Sequence, residues 1–128
     1  MKLGDTFLLK SSNGILHLHI VLSDPQKNSK VVIVPVTTRT EYDDDRAEMV
    51  IRSDSGHSFI KHESFVFYSN AQVIPHEKLE KYARMYPNLL REPLSAEILR
   101  QTIRIAGTTT NFENDFWRIL DDQHLFDQ

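Results

Sequence analysis

Apolar residues along the first 75 positions fall in short runs separated by turn formers. Thr6-Phe7-Leu8-Leu9-Lys10 is followed by Ser-Ser-Asn-Gly and then by Ile15 to Leu22. Asn13-Gly14 predicts a hairpin, since both residues tolerate the positive φ of a tight primed turn. Asp24-Pro25 ends the second run, and Gln26 to Lys30 is polar. Val31-Val32-Ile33-Val34-Pro35-Val36 is continuous and β-branched, which predicts a strand buried on both faces. Pro35 donates no hydrogen bond and marks a bulge or a strand end there. Glu48 to Arg52, Ser64 to Tyr68 and Ala71 to Ile74 bring the count to about six short strands. Such spacing, with little helix between, predicts a small barrel or sandwich.

The period then changes from two to three or four. Leu79, Tyr82, Ala83 and Tyr86 predict a helix over His76 to Met85, stopped by Pro87. Ser95 is an N-cap for a second helix along Ile98, Leu99, Thr102, Ile103 and Ile105, with Gly107 as its stop. Thr110 and Glu113 have capping-box spacing before Phe112, Phe116, Trp117 and Leu120. Residues 87–93 read as a linker, but the helices beyond it are too few to fold alone. They are expected to pack on the sheet or to form a dimer or partner surface. The aromatic set Tyr82, Tyr86, Phe112, Phe116 and Trp117 reads as core rather than as a base-stacking platform.

Composition narrows the classes. A chain of 128 residues is expected to form a single domain with its own core. No apolar run approaches the roughly 18 residues that would cross a bilayer. Met1-Lys2-Leu3-Gly4-Asp5 reaches Gly and Asp too early for a secretory signal. The absence of cysteine excludes a disulfide framework and a cysteine zinc site. A cytoplasmic protein without membrane contact is the resulting expectation. The net charge of −3 argues against binding nucleic acid through bulk electrostatics, yet leaves room for a local cationic cleft. Asp43-Asp44-Asp45 reads as a solvated loop, with a metal-binding acidic loop as the alternative.

Candidate chemistry is concentrated in histidine. Gly56-His57-Ser58-Phe59-Ile60-Lys61-His62-Glu63-Ser64 packs two imidazoles, an ammonium and hydroxyls just before a strand. His17 and His19 lie two apart in an earlier strand, so alternation places both on one face, opposite Leu18 and Ile20. Histidine exchanges protons near neutral pH and is also a common metal ligand. Phe59 and Ile60 are expected to plug the end of the barrel.

The order of parts resembles the MazF/PemK ribonuclease toxins over residues 3–76. The matching features are Gly4-Asp5, Ile20-Val21-Leu22-Ser23, Val31 to Val36 running into Thr37-Thr38, Ser64-Phe65-Val66, and Gln72-Val73-Ile74. The resemblance implies a small SH3-like antiparallel β-barrel, here over residues 1–75, followed by about three C-terminal helices over residues 76–128. It also implies a homodimer, a protein antitoxin as partner, and cleavage of single-stranded RNA without a metal or other cofactor. His17 stands where the family carries its catalytic arginine, and Leu18 where it carries proline. Two readings follow: a branch in which histidine has replaced arginine, or a barrel that kept the fold and changed its task.

Metal-free RNA cleavage needs a base for the 2′-OH proton, an acid for the departing 5′ oxygen and donors for the phosphorane-like transition state. The assignment expected here pairs His17 with His62 as acid and base, in open order. Lys61 neutralises phosphate charge, and Thr37 or Thr38 with Ser64 donates hydrogen bonds. His57 and His19 contact the substrate. Two rivals stand beside this assignment. One is a metal site of His17 and His19 with His57 or His62. The other is a non-catalytic SH3-like binding or regulatory module.

Overall fold

The computed structural model describes residues 1–10, 13–39 and 47–127. The Asp43-Asp44-Asp45 run lies outside the described residues, as do Ser11 and Ser12 of the first turn. Seven strands run in the order β1 Thr6–Lys10, β2 Leu16–Val21, β3 Lys30–Thr38, β4 Val50–Ile51, β5 Ser64–Val66, β6 Gln72–Pro75 and β7 Leu90–Arg91. Three α-helices accompany them: α1 His76–Met85, α2 Ala96–Thr108 and α3 Asn114–Asp122.

All the strand pairings are antiparallel, and the sheet order is β4-β5-β3-β2-β1-β7, with β6 also paired to β3. Among the described residues β4 and β7 remain the two ends of an open sheet, so the ladder does not close into a ring. Helices α2 and α3 fill the side that a closed barrel would enclose by curling. Ile103, Ala106, Leu120 and Leu125 share one buried cluster with Leu18, Ile20, Val32, Val34 and Val36.

Strand β3 organises the rest. Its first half, Lys30 to Ile33, pairs with β6, and its last residues, Val36 to Thr38, pair with β5. Pro35 lies where the partner changes, and its carbonyl accepts from the Phe67 N–H at 2.9 Å. A residue without an N–H is tolerated at this junction, where the pairing of β3 passes from β6 to β5. The strand therefore passes through Pro35 instead of ending at it.

Strict alternation sorts the side chains. Leu18, Ile20, Val32, Val34 and Val36 pack with α2 and α3, while Val21, Val31 and Ile33 join Phe7 and Leu79 in a second cluster under α1. Burial on both faces explains why β3 reads as an unbroken apolar run. At the end of β2 the buried Ser23 hydroxyl accepts from the Val32 N–H at 2.8 Å.

Several local expectations change. Lys10 pairs with Leu16, so a five-residue connection replaces the tight two-residue hairpin. Gly14 takes positive φ there, at 84°, and the Asn13 side chain accepts from the Ile15 N–H. Helix α1 has the predicted limits, and Ser95 caps α2 by accepting from the Ile98 N–H. Gly107, however, lies inside α2, where a Cβ would meet the Phe126 ring at 2.9 Å, so this glycine serves packing and not helix termination. The capping box does not form, since Glu113 is itself the N-cap of α3 without a side-chain bond. Thr109, not Thr110, makes the local bonds, donating to Glu48 and accepting from the Asn111 N–H. Residues 87–93 are no linker, because β7 pairs with β1 within them. Of the aromatic set, Phe112 is buried in the main core and Phe116 and Trp117 pack against it, whereas Tyr86 is exposed. Ile60 is buried and Phe59 exposed, so only the first plugs the structure.

Candidate functional site

One sheet face carries a groove beside α1. Helix α1 has ten residues, about 15 Å of length. Strand β3 has nine, about 30 Å. Leu79 and Tyr82 of the helix pack with Phe7, Val21 and Ile33, and His17, His19, Pro35 and Thr37 lie outside that cluster. Those four line a groove of about 580 Å³ whose wall is the turn from β5 to β6, including Phe67, Ser69, Asn70 and Gln72. Lys10 is at the rim, and no carboxylate is among the lining residues.

His19 is the most constrained group in this groove. It is 5 % exposed and stacks on Phe7, with ring centroids 5.7 Å apart at 28°. Its Nδ1 lies 3.0 Å from the His17 carbonyl oxygen. A carbonyl can only accept, so Nδ1 carries the proton and Nε2 keeps its lone pair. Nε2 has no hydrogen-bond partner among the described residues and is not sealed from solvent. Burial holds the imidazole below its ordinary pKa, against the opposing pull of the His17 carbonyl. The folded protein therefore presents a neutral base with its lone pair free. His17, half-buried on the same face, stands beside it.

A pH dependence follows. The folded pKa of His19 is lowered, so the unfolded chain binds the proton more readily. Its contribution to stability is complete above the unfolded value of about 6.5 and shrinks as pH falls below it. Urea titrations at pH 7 and pH 5 should show a smaller loss for His19→Asn than for the wild type. Equal losses would remove His19 as the responsible group.

The remaining expected site residues lie elsewhere. Thr38, Lys61, His62 and Ser64 line a small pocket with Leu18 and Val36, on the opposite sheet face. The fold thus separates His17 from His62, and of the two threonines it puts Thr37 with His17 and Thr38 with His62. His57 belongs to neither group. It is buried, with Nε2 at 2.9 Å from both the Thr6 hydroxyl and the Glu92 carbonyl, while Nδ1 accepts from the Phe59 N–H at 3.1 Å. Ser58 donates to the Glu92 carboxylate at 2.5 Å and holds it below the usual carboxylate pKa. Both ring nitrogens of His57 are used in pinning the 56–60 loop to β1 and to the chain before α2. His57→Ala is expected to lower the free energy of unfolding by about 2–3 kcal/mol, because it leaves buried groups unpaired. Urea denaturation checks this, and a change below about 0.5 kcal/mol would show that the pin is dispensable.

Among the described residues no three of His, Asp and Glu converge as metal ligands, so the histidine trio of the metal reading is not assembled. The described helices include none long and apolar enough to cross a membrane. Asn70 and Gln72 escaped the sequence reading as groove residues, because a polar residue at a strand junction carries no periodic signal. No protein-family model and no curated protein matches the chain.

Proposed function

We propose that the chain is a toxin-type endoribonuclease that cuts single-stranded RNA at the groove of His17, His19 and Thr37. The observation that carries this reading is the convergence of two imidazoles, two hydroxyls, two side-chain amides and a lysine in one groove without a lining carboxylate. Such a lining suits a phosphodiester, whose charge a carboxylate would repel. The MazF/PemK resemblance is compatible with this place, since His17 stands at its arginine position and Thr37 or Thr38 at its threonine position. The change of partner along β3, from β6 to β5, accords with an SH3-like origin for the open sheet.

In this mechanism His19 Nε2 takes the 2′-OH proton as the 2′ oxygen attacks phosphorus. The P–O5′ bond breaks, and His17 delivers a proton to the departing 5′ oxygen, leaving a 2′,3′-cyclic phosphate. Thr37 and Lys10 stabilise the charge that grows on the non-bridging oxygens. The acid/base pair is thus His17 with His19, in place of His17 with His62. Incubating mixed-sequence RNA with the protein in EDTA tests the reading. Fragments ending in cyclic phosphate are expected. Intact RNA in the presence of demonstrably folded protein would overturn it in favour of a binding module.

A further inference from the structure

The chemically dense loop at Lys61 and His62 is left unused by the groove. It closes, with Thr38, Ser64, Leu18 and Val36, over a pocket of about 60 Å³. The side chains of Lys61 and His62 are exposed and form no hydrogen bond or ion pair with another described residue. The nearest acid in sequence, Glu63, is engaged by Arg39 at 3.2 Å. Ser64 donates to the His62 carbonyl at 2.9 Å, which holds the loop turned over the end of β3. Thr38 brings a hydroxyl from below, and it pairs with Ser64 across the ladder.

We propose that this pocket binds a phosphoryl group, held by the Lys61 ammonium, the His62 imidazole and the Thr38 hydroxyl. Charge and donors are supplied together there, and Ser64 acts as the positioning residue. Thr37 and Thr38 are consecutive, their Cα atoms about 3.8 Å apart. The pocket and the groove are therefore the two sides of one strand end. An RNA strand rounding that end would place one phosphate in the groove and a later one in the pocket. That source for the phosphate rests on the ribonuclease reading, whereas the pocket's affinity for a phosphoryl group does not.

The test uses the full chain in EDTA, with a fluorescently labelled, uncleavable 2′-deoxy octanucleotide and, separately, inorganic phosphate followed by calorimetry. The wild type is compared with Lys61→Gln/His62→Asn and with Lys61→Glu, after circular dichroism has shown that both variants fold. About tenfold weaker oligonucleotide binding, with the slope of log affinity against log salt reduced by about one, is expected for the double variant. Lys61→Glu should weaken it further. Weaker phosphate binding with unchanged oligonucleotide affinity would keep the site and identify free phosphate as its ligand. Unchanged binding of both probes would overturn the proposal. Failure of the wild type to cut RNA would remove the catalytic reading alone, since neither probe is cleaved.

Discussion

Substituting His19 by alanine is expected to lower RNA cleavage in EDTA by about 10²–10⁴-fold, the range associated with losing a positioned general base. His17→Ala should lower it comparably through loss of the proton donor to the 5′ oxygen. The two effects should not add, because each imidazole serves the same displacement. His19 is buried, so its loss also threatens the fold, and His19→Asn provides the control. Asparagine can donate to the His17 carbonyl as Nδ1 does now. Its stability should lie near that of the wild type while its rate falls with that of alanine. The rate should also decline as pH drops through the lowered pKa of His19, where the lone pair takes a proton. Folded variants that cut as fast as the wild type would move the chemistry out of this groove.

Truncating Leu120 to alanine should lower the free energy of unfolding by about 2–5 kcal/mol, the cost of a buried leucine cavity. Leu120 is fully buried on α3, in the cluster that also holds Ile20 and Val34 of the sheet. The effect is expected in the one cooperative transition of the whole chain, and Leu120→Asp should abolish that transition. A separate, low-amplitude transition of the helices, with the sheet unchanged, would show that α2 and α3 are an appendage. The sheet depends on them because Leu18, Ile20, Val32, Val34 and Val36 of β2 and β3 are buried in the cluster they share with α2 and α3. Without that cover Leu18, Ile20 and Val34 would meet water.

Much of the fold was legible in the chain. Continuous β-branched residues from Val31 to Val36 announced a strand buried on both sides, and β3 is covered by helices on each face over its first half. Ser95 and the spacing of Leu79 and Tyr82 marked α2 and α1, since caps and helical periods act within a few residues. Gly107 misled because glycine is ambiguous: it ends helices, and it also admits a ring that a Cβ would repel. The two-residue β7 escaped because so short a strand has no period, and only its pairing with β1 defines it.

Placement of His17 and His19 on one face followed from alternation alone, which is a property of the extended backbone. Their coming together with Thr37 in an open groove did not. That required β2 and β3 to be neighbours and α1 to end before the groove. The same tertiary arrangement sent His62 to the opposite face and buried His57 against Thr6, although all these histidines look alike in sequence. Periodicity specifies which way a side chain points from its own strand. Which side chains then meet depends on strand order and helix cover, and those are decided by contacts between residues far apart in the chain.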